Sequence, residues 1–157
     1  MNLGYACINS TLGSQKPRVT TNRSMIKRTF TERGINYASE LGLLNAKDLF
    51  TILQWNNEHN IKCFRTSSDI FPWGSEYGLQ NAPDYKEIKS ILQLCGKYAE
   101  EHGIRITSHP GPFNVLVSPR EHVVENTIKD LELHGEVFDM MGLSRTPYNK
   151  LNIHCNG

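Results

Sequence analysis

Two histidines each follow a short apolar segment at a point where a β-strand should end. Residues 104–108 read Ile-Arg-Ile-Thr-Ser and lead into His109, and the Pro-Gly pair that follows ends the strand because proline cannot donate to a sheet ladder. Residues 150–153 lead into His154 in the same way, before Cys-Asn-Gly. Neutral imidazole is the commonest side-chain ligand of Zn²⁺- and Mn²⁺-type ions. The pair therefore predicts metal ligands at two neighbouring strand ends.

The elements that would carry these histidines alternate in type along the chain. We predict strands at 3–9, 61–67, 104–108 and 150–155, with helices at 24–60, 84–102 and 118–142. This alternation predicts an α/β fold with a parallel sheet and right-handed crossovers. Four strands with three helical crossovers fit an open four-stranded sheet or half of an eight-stranded barrel. No glycine-rich phosphate loop follows the first strand, which disfavours the dinucleotide-binding type.

Capping residues refine two of these helices. Gly42 and Asn45 are expected to break the first helical run, with Asn45 as the N-cap of its second part. Ser118 precedes Pro119 and stands three residues before Glu121, which is the spacing of a capping box at the start of the third helix.

Composition bounds the kind of protein. With 157 residues, 38% hydrophobic and 21% charged, residues 1–157 are expected to form one globular domain. A net charge of +1 excludes bulk attraction to a polyanion, so nucleic-acid binding would need a local patch or metals. The four cysteines form no C-x-x-C pair and are expected to be small buried hydrophobes in a reducing, intracellular compartment. No signal segment or membrane-length apolar run is present in the sequence.

Several other side chains have two interpretations. The basic residues between Lys16 and Arg28 form either a solvated face or a phosphate contact. Arg65, on the second strand, is either a bidentate phosphate donor or half of a structural ion pair. Trp73 packs against the wall of the fold or stacks on a base. The four remaining histidines are expected in solvent on helices or at their ends: His59, His102, His122 and His134.

Short segments across essentially the whole chain match one family in their order. They are Leu3-Gly-Tyr-Ala-Cys-Ile-Asn9, Leu53-Gln-Trp-Asn56, Phe64-Arg-Thr-Ser-Ser68, His109-Pro-Gly111 and Leu151-Asn-Ile-His154. By these segments the chain resembles the N-terminal half of a UV-damage endonuclease. The resemblance implies an incomplete TIM-type barrel from a metal-dependent DNA repair enzyme. Such an enzyme nicks duplex DNA immediately 5′ of UV photoproducts and other lesions, using a cluster of divalent metals at the C-terminal face, with Mn as the expected metal.

The resemblance also implies metal-site roles for particular residues. His109 and His154 correspond to metal-ligand histidines at the ends of the third and fourth strands. Glu76 falls one residue out of step with a ligand position near the end of the second strand, and Asp69 is the competing choice there. No catalytic residue beyond these ligands is assigned.

Roles in binding damaged DNA follow from the same resemblance. Tyr5 and Asn9 fall on lesion-contacting positions of the first strand. Pro112 and Phe113 take the place of the family's probe, an amide followed by an aromatic residue, and an apolar pair can still separate stacked bases. The expected phosphate contacts are Arg65 and Arg23.

The family's remaining metal ligands come from strands five to eight, which this sequence does not contain. We therefore expect the chain alone to be weakly active or inactive, with activity in a longer native chain or in a complex with a second half-barrel. Open edges at strands one and four are expected to drive pairing of two copies or aggregation. Two alternatives stay open. One is a non-catalytic module that binds distorted DNA, and the other is a metal-dependent barrel of the sugar isomerase kind.

Overall fold

A parallel three-stranded sheet lies at the centre of the computed structural model, which describes residues 2–153. The strands are β1 (Gly4–Ala6), β2 (Cys63–Thr66) and β3 (Arg105–Ser108), in the order β1-β2-β3. Where the fourth strand was predicted, Leu151 makes a single parallel bridge to Ser108. His154 and the rest of that predicted strand lie outside the described residues.

Helices connect and follow these strands. They are α1 (Ser10–Gly13), α2 (Lys27–Glu58), α3 (Gly74–Tyr77), α4 (Tyr85–Glu101) and α5 (Glu121–Met140), with a 3₁₀ turn at Leu79–Asn81. Helix α2 joins β1 to β2, and α4 joins β2 to β3, so each crossover links adjacent parallel strands. The predicted α/β fold built from parallel units is confirmed. Within residues 2–153 no helix is both long enough and apolar enough to cross a membrane.

Alternation along the strands separates two faces of the sheet. Phe64 of β2 pairs in register with Ile106 of β3, and both side chains are fully buried among those of the helices. Burying such a side chain stabilises the fold by about 1.5–3 kcal/mol. The other face carries polar residues such as Arg65 and borders an open groove. Cys95 is fully buried as predicted, whereas Cys7 and Cys63 are only half-buried.

The predicted break in the first long helix is wrong, because α2 runs through Gly42 and Asn45. Gly42 lies against Phe71, whose Cδ1 would be 2.9 Å from an added Cβ, so the glycine permits close packing. Asn45 caps no helix. Its amide donates to the carbonyl oxygens of Arg23 and Ile70 at 3.0 and 2.9 Å. The helix is instead interrupted at Gly34, where φ is +68°.

The capping box predicted at Ser118 is also wrong, since α5 begins at Glu121 and Arg120 is its N-cap. The Ser118 hydroxyl accepts from the Arg120 backbone N–H at 3.2 Å. The segment that precedes Ser118 is held against the side of α5. The Val115 backbone N–H donates to the Thr127 hydroxyl at 2.9 Å, so this segment packs along the side of α5, which begins only at Glu121.

Candidate nucleic-acid interface at the strand ends

A groove opens at the carboxyl ends of the strands, between the segment after β2, the segment after β3 and the first turns of α5. It brings four of the predicted site residues to one place. Asp69 and Glu76 lie on one side, and Pro112 and Phe113 lie on the other. Asp130 of α5 also borders the groove. Loops at this end of a parallel sheet form the ligand face in alternating β/α folds.

The segment after β3 presents an apolar tip to solvent. The Phe113 side chain is 89% exposed, and Val117 on the same segment is also largely exposed. The base of the tip is fixed, because the Asn114 amide donates to Asp130 Oδ2 at 2.6 Å. An exposed aromatic ring on an anchored loop is typical of a side chain that inserts into a binding partner.

Acidic side chains meet on the floor of the groove. Burial raises the pKa of Asp69, and the nearby Asp130 carboxylate adds to that rise, although a hydrogen bond from Ser24 opposes it. Glu76 is exposed in the first turn of α3. Both carboxylates predicted as metal ligands after the second strand therefore line the groove, and the choice between Glu76 and Asp69 stays a prediction.

His134 was predicted to be exposed to solvent, and this prediction is wrong. Its side chain is only 3% exposed, in the middle of α5, and its Nδ1 lies 2.9 Å from the Ser108 hydroxyl at the end of β3. Nε2 makes no hydrogen bond of regular geometry within residues 2–153, although the Ser68 backbone interacts with the ring, and it lies 3.9 Å from Asp130 Oδ2. Burial lowers the pKa of His134. By contrast, His59 and His102 do lie at helix ends and His122 is exposed near the start of α5.

His109 follows β3 directly, and its side chain is half-buried. The adjacent Ser108 is rigidly placed, because its backbone N–H donates to the Lys150 carbonyl at 3.1 Å and its carbonyl accepts from Asn152 at 2.9 Å. In the described part of the chain, no three or more His, Cys, Asp or Glu side chains are arranged to hold a metal ion. The role of His109 as a metal ligand therefore stays a prediction.

Tyr5 and Asn9 lie apart from this groove, in a hydrogen-bonded chain beside β1. The Asn9 amide donates to the Tyr5 hydroxyl at 2.8 Å, and that hydroxyl donates to Asn56 Oδ1 at 2.7 Å. Asn9 is also the N-cap of α1, since its Oδ1 accepts from the Leu12 backbone N–H at 2.9 Å. Burial raises the pKa of Tyr5. Their role in lesion contact stays a prediction.

We expect Tyr5→Phe to lower the free energy of unfolding by about 1–2 kcal/mol, because it leaves the buried Asn56 oxygen without its donor. Urea unfolding followed by circular dichroism measures the change. Tyr148→Phe is the control, since the Tyr148 side chain is 52% exposed and its hydroxyl makes no described hydrogen bond within residues 2–153. Equal unfolding midpoints for the two variants would contradict the expectation.

The two predicted phosphate ligands have different surroundings. The Arg23 guanidinium lies 2.7 Å from Asp48 Oδ2 and also donates to the Thr20 carbonyl at 2.6 Å, so it braces the loop before α2. Arg65 faces the open groove on the polar side of the sheet. No carboxylate among the described residues pairs with it. Arg65 therefore keeps a guanidinium that is not committed to an ion pair in this part of the chain.

Trp73 forms part of the wall beside the groove. Its indole stacks on Phe30 with ring centroids 5.2 Å apart, and its Nε1 donates to the Met25 carbonyl at 3.0 Å. Tyr77 also stacks on Phe30, with ring centroids 6.2 Å apart, and burial raises the pKa of Tyr77 to about 12. These contacts favour the wall-packing interpretation of Trp73.

Comparison with known proteins identifies the family. A family model described as UV-endonuclease UvdE matches residues 1–157. The chain belongs to this family. It is 36% identical to a putative UV-damage endonuclease of Acanthamoeba polyphaga mimivirus, 37% identical to a UV-damage endonuclease of Schizosaccharomyces pombe and 34% identical to a UV DNA damage endonuclease of Clostridium perfringens. Each match includes 99–100% of this chain. The chain spans only 47%, 26% and 35% of the length of those three proteins, respectively.

A solved UvdE-family structure has the same fold. The crystal structure of SacUVDE superposes with a TM-score of 0.82 at 30% sequence identity, covering 98% of this chain and 49% of that one. The present chain therefore has the architecture of a partial TIM-type barrel, which confirms the predicted fold class.

Sequence reasoning missed Asp130 and His134 as members of the groove region. The spacing of α5 held a usable signal, because Thr127, His134 and Phe138 recur at helical intervals and all three are buried. A histidine on such an apolar stripe needs a buried polar partner. That partner, the Ser108 hydroxyl, lies 26 residues earlier, and no local pattern points to it.

Proposed function

We propose that this chain is the damage-recognising portion of a metal-dependent DNA repair endonuclease that nicks duplex DNA 5′ of UV photoproducts. The observation that carries the proposal is the match of the UvdE family model to residues 1–157, with Phe113 standing 89% exposed at the mouth of the strand-end groove. An apolar wedge of this kind can unstack a base step in exchange for contact with the bent duplex. Pro112 stiffens the tip on its N-terminal side.

In this proposal the duplex lies across the carboxyl ends of the strands. Lys27, at the exposed start of α2, offers positive charge to the phosphate backbone, whereas the neighbouring Arg28 pairs with Glu32 at 2.9 Å. Arg65 offers a bidentate donor. Tyr5 and Asn9 contact the lesion from the β1 side. Such contacts to phosphate position the protein, while the distortion of the lesion supplies the preference for damaged DNA.

His109 and His154 are proposed as ligands to divalent metal, with Mn as the expected ion and Glu76 or Asp69 as a further ligand. Bound metals in such enzymes neutralise a phosphodiester and lower the pKa of a coordinated water. Since this chain spans only 26–47% of the relatives it matches, we expect it to recognise damage better than it cleaves. A longer native chain, or a complex with a second half-barrel, would supply the further ligands.

A binding assay and a nicking assay test the proposal together. We expect the chain to bind UV-irradiated duplex more tightly than intact duplex in chelator, and to nick UV-irradiated plasmid slowly or not at all with Mn²⁺ present. Equal affinity for damaged and intact duplex would overturn the recognition role. Robust Mn²⁺-dependent turnover by these 157 residues would overturn the proposed need for a second half.

A non-catalytic damaged-DNA-binding module is the second candidate. It is favoured by Phe113, which is 89% exposed on a loop anchored to Asp130 and needs no metal to enter DNA. The two candidates are distinguished by expressing the C-terminal segment of a relative separately, adding it to this chain and repeating the nicking assay. Restored nicking supports the endonuclease, and unchanged metal-independent binding supports the module.

A further inference from the structure

Asp130 lies between the segment that bears Phe113 and the buried His134 beside the end of β3. Its Oδ2 accepts from the Asn114 amide at 2.6 Å, and Asn114 directly follows the Phe113 wedge. The same oxygen lies 3.9 Å from Nε2 of His134. One carboxylate oxygen therefore faces both the base of the wedge and a buried imidazole.

The buried imidazole leads on to the tip of β3. Nδ1 of His134 and the Ser108 hydroxyl are 2.9 Å apart, and Ser108 immediately precedes His109. If Nδ1 accepts the hydroxyl proton, Nε2 carries the ring proton and points it towards Asp130. Within residues 2–153 that nitrogen makes no hydrogen bond of regular geometry. Burial of the ring, which is only 3% exposed, lowers its pKa, and the Ser68 backbone is the nearby acceptor that opposes this shift. A shift of about 1 Å, or one bridging water, would pair it with the carboxylate.

We propose that Asp130 is a positioning residue that couples the Phe113 wedge to the strand end bearing His109. Asn114 fixes the wedge to Asp130, and His134 transmits the position of Asp130 to Ser108. A second bond, from the Val115 backbone N–H to the Thr127 hydroxyl, ties the wedge segment to the same helix one turn earlier. Insertion of the ring into DNA and placement of the strand end thus share one rigid support, α5. The effect of Asp130 on DNA binding rests on the proposed function, because Phe113 can act as a wedge only if the chain binds damaged duplex.

The coupling is tested first without DNA. Hydrogen–deuterium exchange of Asp130→Ala should rise at residues 111–117 and also at 106–110, because both segments lose the shared support. Asp139→Ala is the matched control. It removes a carboxylate from the same helix whose ion-pair partner among residues 2–153 is the exposed Arg145, at 2.7 Å. Exchange that rises at 111–117 alone, or equally in both variants, overturns the coupling.

The functional consequence is tested with a short duplex carrying one UV photoproduct and 2-aminopurine opposite it. Wild type should raise the fluorescence by unstacking the probe, and Asp130→Ala should lower the preference for damaged over intact duplex by about tenfold, as expected for losing a charge-assisted hydrogen bond. In a Phe113→Ala background, Asp130→Ala should cause no further loss, since both changes act through one wedge. Fully additive losses overturn the role of Asp130 in positioning the wedge.

The two levels of failure are distinguishable. A wild-type chain that treats damaged and intact duplex alike overturns the proposed function and the wedge role of Asp130 with it. Unchanged exchange in Asp130→Ala overturns the coupling whatever the DNA result. Thermal unfolding of each variant identifies any general loss of structure, and His134→Gln gives an independent second variant, with exchange expected to rise at 106–110.

Discussion

Replacing Phe113 with alanine is expected to weaken binding of UV-damaged duplex by about 10- to 100-fold, because base–aromatic stacking contributes about 1–3 kcal/mol per base. The ring is 89% exposed and supports no core contact, so the free energy of unfolding should be unchanged. Binding to intact duplex should also change little, since that binding depends on phosphate contacts. Fluorescence anisotropy with damaged and intact duplexes at one fixed salt concentration measures the ratio.

The control for this change removes apolar surface elsewhere. Leu94 lies on α4 with its side chain 48% exposed, and it does not line the strand-end groove. Leu94→Ala should leave both affinities unchanged. If Leu94→Ala and Phe113→Ala lowered binding to the same extent, general hydrophobic contact would explain the effect and the wedge interpretation would fail.

The second large effect is expected at Gly96, in the middle of α4. A Cβ at this position would lie 1.7 Å from the carbonyl oxygen of Met141, just beyond the end of α5. Helix propensity alone would favour alanine by about 1 kcal/mol. The contact is with backbone and cannot be relieved by rotating a side chain, so α4 and the end of α5 must separate. We expect Gly96→Ala to lower the free energy of unfolding by about 3 kcal/mol.

Gly135→Ala is the matched substitution with the opposite expected sign. Gly135 lies within α5, and an added Cβ there would meet nothing within 4 Å. Alanine should therefore stabilise the chain by about 0.5–1 kcal/mol through helix propensity and a less flexible unfolded state. Urea unfolding midpoints compare the two variants directly. A Gly96→Ala chain as stable as Gly135→Ala would show that the close approach of α4 to Met141 is not required for stability.

Elements with local signals were predictable from the sequence. Helix α4 was expected at 84–102 and is found at Tyr85–Glu101, with Gly103 following at a φ of +62°. The strand leading to His109 was placed correctly because Pro110 ends it whatever the rest of the chain does. Such signals depend on residues only a few positions apart in the sequence, so they can be recognised without knowledge of the tertiary structure.

Features that depend on distant partners were not predictable. Asn45 resembles a helix cap in sequence, yet its amide is committed to the carbonyl oxygens of Arg23 and Ile70, more than twenty residues away in either direction. His134 resembles a surface histidine until Ser108 is placed against it. For the site, the groove does bring Phe113 and Glu76 together. Their roles, and those of His109 and His154, remain predictions, because a role depends on a bound partner.

The order of the strands has a consequence for how the molecule is made. Each strand of the sheet lies beside the one translated before it, and Leu151 continues the series on the far side of β3. None of the three strands described within residues 2–153 has to insert between two that have already paired. A nascent chain can therefore add one strand and its covering helix at a time as it leaves the ribosome, and α4 can dock on an α2 that is already in place.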